Sequence, residues 1–363
     1  MKNAVTWSRR NLFSSPLNGI ITLALLLGLG ACLYAVIDWA IVSAVWSGTD
    51  RTDCLGAGKG ACWPFVGAKL DQFIYGNYPP SLTWRPDLVF GLGLCALFAL
   101  GHPRIGKKFY TLIFLFFIYP PLSFVFLKGG IFGLELVATS QWGGLLVTLV
   151  VAVTGMIAAL PLGILLALAR RSEFPLFRYF AIAFIEFWRG IPLITVLFMA
   201  SIMLPLFFPS GMDVDKLLRA LIGVALFSSA YMAEVVRGGL NALAKGQYEG
   251  AKALGLGYWR MMGLVVLPQA LRHAIPGIVN SFISLFKDTT LVLIIGLFDL
   301  LGIIQFHLTD PTWATPQTAV TGYVFAALVF WIFCFSMSRY AQSIENRLGE
   351  RRLGERQLGK DMR

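Results

Sequence analysis

Long, nearly uncharged apolar runs constrain this chain more than any other feature. Eight of them, at about 17–46, 82–100, 109–128, 142–169, 177–208, 217–237, 270–298 and 319–338, approach or exceed the roughly 20 residues with which an α-helix crosses a bilayer. In hydrocarbon every backbone N–H and C=O must be satisfied internally, so such runs fold as helices or as a closed barrel. A barrel would show ~10-residue segments of alternating polarity, and the sequence has none. Only 13% of residues are charged, against about 25% in soluble domains. The expected fold class is all-α integral membrane, with about eight transmembrane helices.

The second run is the weakest, because Arg85 and Asp87 near its start must snorkel or shorten it. Lys2, Arg9 and Arg10 precede the first run as in a signal peptide, but that run is too long for one and reads as a retained helix. Basic residues then alternate between connections. They fill the N-terminus, loop 101–108, loop 170–178 with Arg170, Arg171 and Arg178, segment 237–260, and the tail from Arg339 to Arg363. The connections 47–81, 129–141, 209–216 and 299–318 are poorer in them. The positive-inside rule puts both termini in the cytoplasm. The net charge of +11 expresses this bias; nucleic-acid binding would need a basic patch on a folded domain, and none is expected.

Cys54 and Cys62 share the 47–81 connection. They pair as a disulfide if that compartment is oxidising and are otherwise two free thiols. Cys32, Cys95 and Cys334 sit in apolar spans and read as small core residues. Gly101-His-Pro-Arg-Ile-Gly106-Lys107-Lys108 imitates a P-loop, but Lys108 stands where Ser or Thr must hold magnesium. No cofactor is expected on this chain. His102, His273 and His307 are scattered away from any group with metal-ligand spacing. Neither a metal nor a catalytic residue is expected.

One polar, glycine-punctuated segment on the cytoplasmic side breaks the apolar pattern: QYEGAKALGLGYWRMMGLVVLP, residues 247–268. Residues 241–254 read as a short helix ended by Gly255 and Gly257. Residues 258–264 read as a second, and Pro268 suits the first turn of the next span. Glu249, Lys252 and Arg260 keep the segment out of hydrocarbon, while Tyr248, Leu254, Tyr258 and Trp259 offer anchors to a partner's groove. A loop resting on lipid headgroups fits the same pattern.

Within this segment, Glu249-Gly250-Ala251, three residues, Gly255, nine residues, Val265, one residue, Leu267-Pro268 resembles the EAA motif of bacterial ABC importer permeases. Gly250 replaces the first alanine of the motif and Val265 its isoleucine. Glu186-Phe-Trp-Arg189-Gly190-Ile-Pro192-Leu193, Ser229-Ala-Tyr231-Met-Ala-Glu234-Val-Val-Arg237-Gly238-Gly239, Leu267-Pro268-Gln269-Ala270 and Lys287-Asp288-Thr289-Thr290-Leu291 resemble segments of permeases for polar amino acids. The likeness covers about 142–340 and the last five spans. The three earlier spans are similar to the extra N-terminal block of larger permease subunits of general L-amino-acid importers.

The resemblance implies a layout: a three-span extension over 1–135 with external loop 47–81, a five-helix type I ABC importer permease domain over 136–345 with coupling loop 238–268, and a basic cytoplasmic tail over 346–363. It implies a multi-pass permease of the bacterial inner membrane that carries polar L-amino acids and is not itself an enzyme. ATP and magnesium would be used in a partner. The implied partners are a second permease subunit (a sister or a second copy), two ATPase subunits, a periplasmic amino-acid-binding protein and membrane lipid. Glu249, Gly250, Ala251, Lys252, Ala253 and Gly255 would couple to the ATPase. A secondary transporter driven by an ion gradient is the alternative, and it would leave 247–268 without a purpose.

Charges within or beside spans cost about 2.5–3.5 kcal/mol at a span centre, so each demands a role. Glu186 and Arg189 are spaced i,i+3 and are expected to pair. Lys287 and Asp288 are adjacent and must find partners on other helices. Glu186, Arg189, Lys287 and Asp288, with Thr289, either line a path for a zwitterionic amino acid or bind helices together. Glu234 and Arg237, nearer a span end, are preferred as a structural ion pair joining spans five, six and seven. Pro192 interrupts the helical ladder, and marks either the translocation path or a packing kink.

Overall fold

The computed structural model describes residues 2–101, 108–207, 209 and 214–361, with the side chains of 2–5, 9 and 347–361 excepted. The P-loop-like stretch with His102 and the side chains of most of the basic tail lie outside the described residues. The helices used below are α1 (Pro16–Val42), α2 (Trp63–Tyr75), α3 (Pro80–Gly101), α4 (Lys108–Lys128), α5 (Gly144–Arg170), α6 (Pro175–Gly190), α7 (Leu193–Phe207), α8 (Lys216–Asn241), α9 (Lys245–Ala253), α10 (Tyr258–Ile295) and α11 (Pro316–Asn346). Seven are long and apolar enough to cross a membrane, or eight with the α6–α7 pair counted as one span.

That pair is the run expected at 177–208, broken where Pro192 was expected to interrupt the helical ladder. The two helices meet at 101°. Proline disfavours helical geometry in the residue before it, and Ile191 is extended there, with φ −113° and ψ 145°. The short helix expected at 258–264 and the next span are likewise one helix, α10. A π-helical turn, Met262–Val266, joins their ladders just ahead of Pro268, which has no N–H to offer the preceding turn.

Packing divides the chain into two compact units, Met1–Leu70 with Gln305–Phe325 and Asp71–Ile304 with Ala326–Arg363. In the larger unit α5, α8 and α10 approach closely at small residues. A Cβ on Gly163 would lie 2.7 Å from the Met232 side chain, and Gly239 rests on the Ala270 backbone. Small residues serve this purpose in membranes, where lipid removes the hydrophobic drive for helices to associate. Packing also continues across residue 135: Tyr78, Val89, Tyr119 and Leu127 share a buried cluster with Trp142, Leu146, Val151 and Leu285. Arg85, expected to snorkel, is instead buried, donates to Glu135 O at 2.7 Å and stacks on Trp84. Cys32 and Cys95 are exposed on α1 and α3 rather than in a core.

The start of α5 is tied to residues 298–300. Gly144 N donates to Phe298 O at 2.9 Å, and Leu300 N to Thr148 Oγ1 at 3.0 Å. Buried Asp299 accepts from Leu301 N at 3.3 Å and Gly302 N at 3.0 Å. Burial raises its carboxyl from the usual 3.8 to about 6. A raised carboxyl stabilises the fold below about pH 4 and loses that contribution as pH climbs through the folded value. The unfolding midpoint of the detergent-solubilised protein should therefore step down over that interval. Asp299→Asn, which keeps one of the two acceptor oxygens and does not titrate, should remove the step.

In the smaller unit Cys54 and Cys62 are joined as a disulfide, with Cα atoms 5.7 Å apart. Cys62 N donates to Thr321 Oγ1 at 2.8 Å, Arg51 N to Thr312 O at 2.7 Å, and Lys69 pairs with Asp310 at 2.7 Å. Segments some 250 residues apart in sequence thus close on one another. The bridged residues are eight apart, so replacing both cysteines with serine should cost roughly 2–3 kcal/mol, read as faster hydrogen exchange over residues 43–70.

Candidate functional site

The connection from α8 to α10 is built on one glycine. After α8 ends at Asn241, Ala244 is extended and α9 begins at Lys245, so the helix expected over 241–254 is split. α9 stops where Gly255 takes φ +72°. Gly255 N donates to Lys252 O at 2.9 Å and Leu256 N to Ala251 O at 3.2 Å, the paired bonds of a Schellman ending. Gly257, by contrast, has φ −65° and needs no glycine.

α9 has two faces. Glu249, Gly250, Lys252, Ala253 and Gly255 are exposed. Leu254 and Trp259 are 81% and 74% exposed, with Tyr258 beside them. These residues form one contiguous exposed patch with apolar members, the kind of surface to which another molecule can bind. Ala251 is the exception among the expected coupling residues. It is buried, and packs with Leu168, Leu240, Met261 and Val266. Tyr248 is also turned inward: Arg171 Nη1 donates to its hydroxyl at 3.2 Å, and the Arg171 guanidinium lies 5.6 Å from its ring centre. Helical spacing places 248 and 251 on the face opposite the exposed residues, so these two seat the helix rather than meet a partner. Gln269 donates to Gln247 at 2.9 Å and pins the same segment to α10.

Beside α9 lies an ion cluster. Arg170 Nη1 reaches Glu234 Oε1 at 2.6 Å and Glu186 Oε1 at 3.2 Å, and Arg237 Nη2 reaches Glu234 Oε2 at 2.6 Å. The cluster joins α5, α6 and α8, so of the spans expected the fifth and sixth take part and the seventh is replaced by the fourth. Glu186 pairs with Arg170 rather than with Arg189, whose guanidinium lies 5.7 Å from the Tyr231 ring centre. Glu186 on α6 therefore meets the end of α5 rather than a residue of its own helix. Arg170 was legible only as a loop charge; the cue was a cation at a span end facing acids elsewhere.

Lys287, Asp288 and Thr289 sit 19 or more residues beyond Pro268, about 30 Å along α10 at 1.5 Å per residue. Here the helix tightens into a 3₁₀ turn, Thr289–Ile295. Thr289 is buried and donates to Phe286 O at 2.8 Å. Among the described residues Lys287 and Asp288 form no salt bridge. The charged candidates therefore fall into two groups at opposite ends of the helices, and Pro192 stands at the α6–α7 bend.

The family described as binding-protein-dependent transport system inner membrane component matches residues 159–350. The chain is 52% identical over 344 residues to the inner membrane amino-acid ABC transporter permease protein YhdY of Escherichia coli K12, covering 95% of this chain and 93% of that protein. It is 38% identical over 412 aligned residues to the glutamate/glutamine/aspartate/asparagine transport system permease protein BztC of Rhodobacter capsulatus, covering 95% and 94%. The crystal structure of an amino acid ABC transporter with histidines aligns at 27% identity and TM-score 0.50, over 56% of this chain and 92% of that one.

The two glycines of the segment should respond oppositely to alanine. Gly255→Ala forces a side chain into left-handed backbone at a cost of about 1–2 kcal/mol. A Cβ on Gly250 would meet nothing within 4 Å, so Gly250→Ala should stabilise α9 by up to ~1 kcal/mol. Thermal unfolding of the two variants checks both signs.

Proposed function

The chain belongs to the binding-protein-dependent inner-membrane transport family and is an ABC transporter permease subunit rather than an enzyme; on that premise, we propose that it carries polar L-amino acids, driven by an ATPase that docks on α9 and the turn behind it. The observation that carries this reading is the exposed face of Glu249, Gly250, Lys252, Ala253, Leu254 and Gly255 on a helix held from behind by Ala251 and Tyr248. A docking element that transmits force has to be exposed on one side and rigidly seated on the other. A transporter working alone on an ion gradient has no use for such a face.

ATP and magnesium would then be bound by the partner, in two copies. A second permease subunit and an amino-acid-binding protein would complete the assembly. Both termini and α9 would face the cytoplasm, with the Cys54–Cys62 loop on the oxidising side. The names of the relatives support amino acids as cargo, and one of them names acids and amides. The α6–α7 bend at Pro192 supplies irregular backbone at membrane depth, which is stable only inside protein or beside a cavity. Lys287, Asp288 and Thr289 are the path candidates at the opposite end of α10, and Glu186 and Arg189 at the α9 end.

Purification of the complex from detergent tests the docking surface. Wild type should recover a P-loop ATPase in stoichiometric amount. Glu249→Lys should lose it by tenfold or more, which corresponds to about 1.4 kcal/mol or above. Amino-acid uptake that survives ATP depletion would sink the reading.

A further inference from the structure

Arg170 and Arg171 are consecutive residues at the end of α5, and they serve different elements. Arg170 enters the ion cluster and bridges Glu234 at 2.6 Å and Glu186 at 3.2 Å. Arg171 turns away, donates to the Tyr248 hydroxyl at 3.2 Å and covers the Tyr248 ring. Successive residues on a helix point about 100° apart, so one helix end grips two neighbours at once. Tyr248 precedes Glu249 on α9, and its hydroxyl also faces Leu240 O on α8 at 3.4 Å. Helices α5, α6, α8 and α9 therefore meet at this pair.

We propose that Arg170-Arg171 is a positioning relay, through which displacement of α9 acts on the ion cluster that holds α5, α6 and α8 together. This rests on the reading of α9 as the ATPase-docking helix. The arms of the cluster are unequal. Glu234 is largely shielded and keeps both oxygens on arginines at 2.6 Å. Glu186 is 57% exposed at its side chain and bonded at 3.2 Å, so water competes best for that arm. A pull on Arg171 that shifts the end of α5 parts Arg170 from Glu186 first. That frees α6, and through the bend at Pro192 it frees α7. Arg171 is a positioning residue that acts through Tyr248 and Arg170.

The test uses the full permease with its ATPase and binding protein in proteoliposomes. ATP hydrolysis is measured beside uptake of radiolabelled L-glutamate, L-glutamine, L-aspartate and L-asparagine. Arg171→Ala should keep its ATPase and hydrolyse within about twofold of wild type, while uptake per ATP falls about fivefold or more, the size of a typical coupling energy. Arg171→Lys, which restores a cation over the ring, should recover most of the loss. Glu186→Gln should uncouple in the same way. The double variant Arg171→Ala/Glu186→Gln should be no worse than either single one, because both cut one path. Additive losses, hydrolysis and uptake falling in proportion, or unchanged uptake in complexes that retain their ATPase would overturn the relay alone. If Arg171→Ala fails to accumulate, Tyr248→Phe, which removes the hydroxyl that Arg171 reaches, replaces it in the same cycle. A wild-type complex that recovers no ATPase would instead overturn the docking reading, and the relay with it.

Discussion

Where lipid replaces water, apolar burial no longer draws one helix to another, and helices hold together through close contact between small residues. The approach of α5, α8 and α10 at Gly163, Gly239 and Ala270 is the contact on which the rest of the larger unit depends. It creates the buried cluster that receives Ala251 and Val266, and so gives α9 a fixed seat. It also brings the ends of α5 and α8 near enough for Arg170 to reach Glu234. A bulkier residue at Gly163 would collide with Met232 and loosen α9 and the ion cluster together.

The ion cluster illustrates how a charge survives beside a membrane. Glu234 is met by two guanidinium groups and Arg170 by two carboxylates, so no member is left with its charge uncompensated, which is the costly condition. Pairing Glu186 with Arg189 within α6 would have satisfied local geometry and tied nothing together. Pairing with Arg170 spends the same charge across three helices. Arg189 is satisfied instead by the face of Tyr231, an arrangement that tolerates partial exposure.

For a permease subunit, division of labour on one short helix matters more than its polarity. Residues of α9 that face inward fix its position, and those that face outward are free for contact. Ala251 belongs to the EAA-like signature and yet is buried, so a motif position can be a packing requirement rather than a point of contact. The same division explains why Gly250 tolerates its departure from the motif: it lies on the open face, where a missing methyl leaves no hole.

The number and rough limits of the spans were legible in the sequence, because bilayer thickness and backbone hydrogen bonding admit few alternatives for long apolar runs. The turn at Gly255 was legible too, since spacing and residue type both demanded it. What the sequence could not determine were relations between segments far apart. Glu186 pairs with Arg170 on another helix, and a one-dimensional i,i+3 rule has no view of that. The burial of Ala251 and the partial burial of Tyr248 depended on which side of α9 met α5 and α8. The bonds from Cys62 to Thr321 and from Arg51 to Thr312 join residues that no local pattern connects. Local preferences propagate over a few residues, whereas which charge meets which is settled by the packing of whole helices, and only the tertiary structure carries that information.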